Sequence, residues 1–225
     1  MAMLTNLDLL RRVPMFSMLT EEQATSLSEA VIKRRFKRGE YIVKQGQKTD
    51  SLYIILAGRG RVLMTDNKGG EVILATLQPG DYIGEMSMID NEAHSASVEA
   101  EMPTDVLELG REAFTSSLTA SASMSYGVIR GLVNRLRMAD RKIGSLALMN
   151  VYGRVANVLL DAAKASPQQD MIIHEKLTRQ DIAKMVGASR EMVSRVMKDF
   201  LDQGFIEALE GGAMRIKERR SKPRD

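Results

Sequence analysis

Residues 177–201 read LTRQDIAKMVGASREMVSRVMKDFL, two helical periods separated by a tight turn. Ile182, Val186, Val193, Val196, Met197 and Phe200 recur at the three- and four-residue steps of apolar helix faces. Thr178 suits the N-cap of the first helix, and Asp181 three residues on makes a weak capping box. Gly187 supplies the backbone freedom of a sharp turn, Ser189 suits the second N-cap, and the small Ala183 sits where two crossing helices approach. The outward face of the second helix carries Arg190, Glu191, Ser194, Arg195 and Lys198. Arginine reads guanine O6 and N7, glutamate accepts from cytosine N4 and lysine holds phosphate, which is the side-chain set of a helix in a DNA major groove. The plain alternative is an amphipathic hairpin with a solvated charged face. The residues C-terminal to the second helix favour DNA: Gln203-Gly204 stops the helix, and FIEAL and AMRI flank a Glu210-Gly211-Gly212 turn, a two-stranded hairpin of the kind called a wing.

The rest of the chain limits what accompanies this unit. Its 225 residues suffice for one large or two modest domains, and 44% apolar with 27% charged residues is an ordinary water-soluble composition. No run of 18 apolar residues occurs, and the start MAMLTNLDLLRRVPMF lacks the pattern of a secretory signal, so a cytoplasmic protein without a membrane partner is expected. There is no cysteine, which excludes disulfides, thiolate metal sites, iron–sulfur clusters and thiol catalysis. Two histidines, His94 and His174, make a histidine metal centre or haem site a poor expectation. The net charge of +3 falls entirely in residues 151–225, which hold 14 Lys+Arg against 11 Asp+Glu. It is densest at 215–224, where six basic residues face Glu218; such a tail suits a phosphate backbone or a solvated end equally.

Taken in order, residues 4–12 and a segment opening at Thr20 read as short helices, with a break at Pro14. Between 34 and 109 the periodicity changes to short strands: 34–36, 41–44, 51–57, 59–65, 71–77, 82–83, 94–100 and 104–109, with glycine at several bends. That pattern predicts a closed antiparallel jelly roll. Residues 112–118 read as a short helix, and about 122–148 as a long one. Ile129, Val133, Leu136, Ile143 and Ala147 form a coiled-coil seam on the long helix. Gly127 and Gly131 weaken it in isolation, so a second copy is expected to support it. Residues 150–153 read as a hinge, and 166–170 as a loop.

This order, over nearly the whole chain, resembles the catabolite activator/fumarate-nitrate regulator (Crp/Fnr) family of bacterial transcription factors. The resemblance implies an α+β chain: a cyclic-nucleotide-binding-type jelly roll at 1–120, a dimerisation helix at 121–149 and a winged helix-turn-helix at 150–225. It implies a homodimeric regulator, not an enzyme, that binds double-stranded DNA at a TGTGA-type palindrome under effector control and works with RNA polymerase. On the segment LTRQDIAKMVGASREMVSRVMKDFLDQGFI, the family's S-R-E-x-x-x-R core places Arg190 on guanine, Glu191 on cytosine and Arg195 on the next guanine or thymine. Thr178, Arg179, Gln180 and Ser189 would hold phosphates, and Met192 stands where relatives place a threonine.

A second match, PGDYIGEMSMIDNEAHSASVEA, is similar to the family's phosphate-binding cassette. It implies that Gly84, Glu85, Met86, Ser87, His94, Ser95 and Ala96 form an effector site, with Glu85 on a ribose 2′-OH and Ser95 with the following amide on phosphate. His94 replaces the arginine that neutralises the cyclic phosphate in cyclic AMP binders, and histidine is only partly charged near neutral pH. On the long helix, Ala139-Asp140 replaces a Thr-Ser pair that reads adenine. Asp140 is either a polar seam residue or a base contact, accepting from adenine or from guanine N1–H and N2–H2. Cyclic AMP is therefore the favoured effector and cyclic di-GMP the alternative, with no metal, iron–sulfur or haem cofactor. Rival readings are an effector-independent regulator with a vestigial barrel, a cyclic-nucleotide-binding regulatory module, and a cupin-like enzyme. The wing argues against the second, and the single histidine in the barrel against the third.

Overall fold

The computed structural model describes residues 5–11, 13–16, 19–165, 171–174 and 177–217. The expected loop at 166–170 and the basic tail beyond Lys217 lie outside the described residues. The chain falls into two compact units, Met1–Met138 and Ala139–Asp225.

The first unit opens with α1 (Asn6–Leu10) and α2 (Glu21–Ala30), each begun by a threonine cap and a complete capping box: Thr5 with Asp8, Thr20 with Gln23. Eight strands follow: β1 (Val31–Phe36), β2 (Tyr41–Val43), β3 (Ser51–Ala57), β4 (Gly60–Thr65), β5 (Glu71–Leu77), β6 (Tyr82–Ile83), β7 (Ser97–Ala100) and β8 (Thr104–Gly110). They form two four-stranded antiparallel sheets, β1-β8-β3-β6 and β2-β7-β4-β5. Strand β3 shows how the layers are held. Leu52 and Ile54 join a cluster with the helical residues Leu10, Phe16, Leu27 and Phe114, whereas Tyr53 and Ile55 join Ile42, Val98 and Val106 between the sheets. Successive side chains of a strand point to opposite faces, and both faces here are covered, so LYIIL is an unbroken apolar run.

Three strands differ from the sequence reading by one residue at an end, β2 at Val43, β4 at Gly60 and β8 at Gly110, and two differ by three residues. Strand β1 begins at Val31, and β7 begins at Ser97 because the preceding residues do other work. Glu85–Asp90 forms the short helix α3, and His94 lies in a loop tied to residues 46 and 47: Gly46 N donates to the His94 carbonyl and His94 N to the Gln47 carbonyl.

After α4 (Arg111–Ala120), Ser121 accepts from the Met124 amide and starts α5 (Ala122–Leu148). One face of α5 buries Met124 and Val128 in the helical cluster of the barrel. The seam residues Ile129, Val133, Leu136 and Ile143 are exposed, the last two by 62% and 63%. Gly131 has a local reason. A Cβ there would stand 1.7 Å from the hydroxyl of Tyr82, which donates to the Val128 carbonyl at 3.3 Å.

The second unit contains the end of α5, α6 (Val151–Ala162), β9 (Lys164–Ala165), β10 (Met171–Ile173), α7 (Arg179–Val186), α8 (Arg190–Asp202), β11 (Ile206–Ala208) and β12 (Met214–Ile216). The Asn150 side chain caps α6 by accepting from the Gly153 amide at 3.0 Å. Gly153, expected in the hinge, is therefore in the first helical turn, and the break between α5 and α6 is confined to residues 149–150. Val155, Leu159, Ile173, Ile182, Val193, Val196 and Met197 make one core, each fully buried. The wing hairpin β11–β12 continues through β10 to β9, giving a four-stranded sheet whose far half the sequence reading does not contain. No helix among the described residues is long and apolar enough to cross a membrane.

Of the three glycines of α5, those at 131 and 144 should respond oppositely to alanine. Gly131→Ala must displace Tyr82 and should lower unfolding free energy by about 1–3 kcal/mol. Gly144→Ala, which meets nothing within 4 Å, should gain about 0.5–1 kcal/mol from helix propensity. Denaturant titrations of both variants check the pair.

Candidate functional site

In the first unit a cavity of about 210 Å³ is lined by the cassette: Gly84, Glu85, Met86, Ser87, His94, Ser95 and Ala96, over a floor that includes Val62, Leu77, Tyr82 and Val98. Gly84 caps α3 with φ 98°, and a Cβ on it would lie 2.8 Å from the Ser51 carbonyl. Only glycine takes that conformation at so close a backbone approach. Glu85 follows it and is 1% exposed. Its Oε1 pairs with Arg135 of α5 at 2.5 Å, while its Oε2 is buried and makes no hydrogen bond among the described residues. Burial raises the Glu85 pKa above the usual carboxylate range, and the Arg135 guanidinium opposes that rise. Arg135 also donates to the Tyr82 carbonyl and lies over the Tyr82 ring at 4.9 Å.

The other cassette residues divide by what they already bond. Ser87 is buried and donates to the Glu92 carbonyl at 2.6 Å, so its hydroxyl serves the loop. His94 is buried, its Nε2 lies 2.8 Å from Thr49 Oγ1, and desolvation lowers its pKa. Ser95 and Met86 are exposed along the cavity. Ala139 and Asp140 lie on α5 just beyond Arg135, both exposed, and belong to the second unit. Sequence reasoning misses Arg135, Tyr82 and Thr49. Arg135 sits among other basic residues on a helix, Arg130, Arg137, Arg141 and Lys142, and looks like a solvated residue there; its role emerges once Glu85 is seen to be buried beside it.

In the second unit α8 separates its faces cleanly. Val193, Val196 and Met197 are fully buried, while Arg190, Glu191, Ser194, Arg195 and Lys198 are exposed. Thr178 and Ser189 cap α7 and α8, accepting from the Asp181 and Met192 amides at 3.0 and 3.2 Å. Gly187 between them has φ 61°. Exposed Gln180 and half-buried Arg179 open α7. Backbone hydrogen bonding in the first turn, then the Ser189 hydroxyl, holds the Glu191 carboxyl below its usual range, so it is an ionised acceptor. Ser194 donates to the Arg190 carbonyl at 2.8 Å, which ties its hydroxyl to the helix. Among the described residues no three His, Cys, Asp or Glu side chains gather as a metal site.

A family model described as a cyclic nucleotide-binding domain matches residues 33–121, and one described as a Crp-like helix-turn-helix domain matches residues 153–221. The cAMP-activated global transcriptional regulator Vfr of Pseudomonas aeruginosa is 34% identical over 183 residues, 77% of this chain and 84% of its own. The corresponding regulator CRP of Salmonella typhimurium is 35% identical over 173 residues, 74% and 81% of the two chains. The chain belongs to the Crp/Fnr family of transcription regulators. Solved structures of this Crp/Fnr architecture include the c-di-GMP responsive regulator CLP of Xanthomonas campestris. It has a TM-score of 0.77 at 23% identity, covering 88% of this chain and all of that one, a likeness of fold. The Thermus thermophilus catabolite activator protein is 29% identical, with a TM-score of 0.54, over 91% and 94% of the chains. As a Crp/Fnr regulator, the chain has relatives named for control of transcription rather than for catalysis.

Replacing Arg135 with methionine should leave Glu85 buried without its cation and cost about 1–3 kcal/mol at neutral pH. The Glu85 pKa then rises further. A carboxyl raised above its unfolded value favours the folded state at low pH and penalises it as pH rises, so the deficit should shrink on acidification. Urea melts of wild type and variant across pH 5–8 check this.

Proposed function

We propose that this chain is a homodimeric, sequence-specific, cytoplasmic transcription regulator, with an effector domain at 1–120, a dimerisation helix at 121–149 and a DNA-binding domain at 150–225. The observation that carries the reading is α8: a helix whose buried face is wholly apolar and whose exposed face presents Arg190, Glu191, Arg195 and Lys198. Arg190 and Arg195 read guanines of a TGTGA-type half-site, ionised Glu191 accepts from cytosine N4, and Lys198 holds phosphate. Thr178, Arg179, Gln180 and Ser189 contact the backbone beside them, with Ser194 facing the groove. The exposed seam of α5 supplies the dimer contact, so two recognition helices meet successive major grooves about 34 Å apart. RNA polymerase is the downstream partner.

In the cavity, the free Oε2 of Glu85 accepts from a ribose 2′-OH, and Ser95 with the Ala96 amide donates to phosphate, with Gly84 leaving room for the sugar and His94 facing the anion. Met86 and Ser87 complete the wall. Cyclic AMP is the leading ligand, as the regulators at 34% and 35% identity are named for it. Cyclic di-GMP is the second, because Asp140 is an exposed carboxylate on α5 that pairs with guanine N1–H and N2–H2, beside Ala139. Ligand binding shifts the population between two dimer arrangements about the break at 149–150. Calorimetry with cyclic AMP, cyclic GMP and cyclic di-GMP in parallel tests the effector; heat from none of them leaves the vestigial-barrel reading.

Arg190→Ala should weaken binding to the palindrome by about 1–3 kcal/mol and relax discrimination at one base pair. Competition binding with single-base variants measures it, and unchanged discrimination removes the assignment. For His94 the sign runs with pH. Its lowered pKa leaves it neutral near pH 7, so affinity for a cyclic phosphate should rise as pH falls below the ordinary imidazole range. Glu85, Arg135, Asp90 and Glu92 line the same cavity. His94→Arg should tighten binding at pH 7 and flatten that profile.

A further inference from the structure

The first turn of α6 reaches the recognition helix through a polar contact. Tyr152, the second residue of α6, donates its hydroxyl to Asp199 Oδ2 on α8. Its ring meets Phe200 edge-on at 6.0 Å, and Phe200 meets Phe205 at 4.9 Å. Asp199 lies four residues beyond Arg195 on the same helix, the separation at which side chains of a helix surface touch. Asp199 and Arg195 both act on the Tyr152 phenol. The phenol pKa is raised, first through its hydrogen bond to Asp199, and the Arg195 charge acts in the opposite direction. An aspartate one turn from an arginine is a ready intrahelical ion-pair partner, and an arginine held that way is withdrawn from a DNA base.

We propose that Tyr152 is a positioning residue for DNA readout: by holding the Asp199 carboxylate against α6 it keeps Arg195 free to contact the base. This rests on the reading of Arg195 as a base contact. Tyr152→Phe retains the edge-on ring contact and removes the restraint. Asp199 then competes for Arg195, as an exposed ion pair does, at a level of about two- to fivefold. The expected result is a loss of that size in affinity for the palindrome, with weaker discrimination at the base pair read by Arg195. Adding Asp199→Asn to Tyr152→Phe should restore both, because no carboxylate remains to compete; a packing role for Tyr152 would not be rescued. Affinities come from fluorescence anisotropy on the full-length protein, with thermal melts confirming folding. An undiminished Tyr152→Phe variant, or a loss that persists in the double variant, overturns the proposal. Arg195→Ala is the companion measurement. If it erases discrimination while Tyr152→Phe changes nothing, the positioning role alone falls; if it leaves discrimination intact, the base-reading role falls and the proposal with it.

Discussion

A carboxylate removed from water needs a cation and hydrogen-bond donors beside it, or it must take up a proton. Glu85 is 1% exposed, and Arg135 supplies that cation from α5. The pair joins the cassette to the long helix within the first unit, and much of the local architecture depends on it. Arg135 reaches the carboxylate by passing over the Tyr82 ring. Tyr82 in turn sends its hydroxyl to the Val128 carbonyl, which leaves no room for a side chain at position 131. One buried charge thus accounts for the arginine, its aromatic platform and a glycine that helix propensity alone would disfavour.

The second unit depends on a different constraint, the geometry of two capped helices around Gly187. Each cap satisfies an amide that the helix itself cannot, and the left-handed glycine turns the chain so that Ile182, Val186, Val193 and Val196 share one core. With that core closed, the opposite face of α8 is necessarily exposed. The residues suited to base edges are therefore presented by packing, and their polarity carries no stability penalty because none of them is buried.

Much of this is legible in the amino-acid order. All eight barrel strands and the wing emerge as short runs between turn-forming residues, and the long helix and the two short helices of the DNA-binding unit from the helical period and capping residues. The departures have local causes. The strand expected from residue 94 starts at Ser97, because the alternation of HSASVEA does not reveal that His94 is tied to the backbone of residues 46 and 47. Gly153 looks like a hinge residue, yet the Asn150 cap draws it into α6. The short strands β9 and β10 beside the wing are absent from the sequence reading, which places only a loop between α6 and α7.

The candidate sites divide along the same line. Residues on one local element, such as Arg190, Glu191 and Arg195, are readable because helical spacing alone places them on a single face. Gly84 and Glu85 are readable through a motif contiguous in sequence. What the amino-acid order determined by itself was therefore the set of elements and the face each presents, since those depend on neighbours within a turn or two. Tertiary structure alone decided that Arg135 answers Glu85 across 50 residues, that Thr49 meets His94, and that Tyr152 holds Asp199 across 47. Such pairings arise when distant segments are brought into one core, where an unpaired polar group is costly, and no local periodicity records which partner will be there.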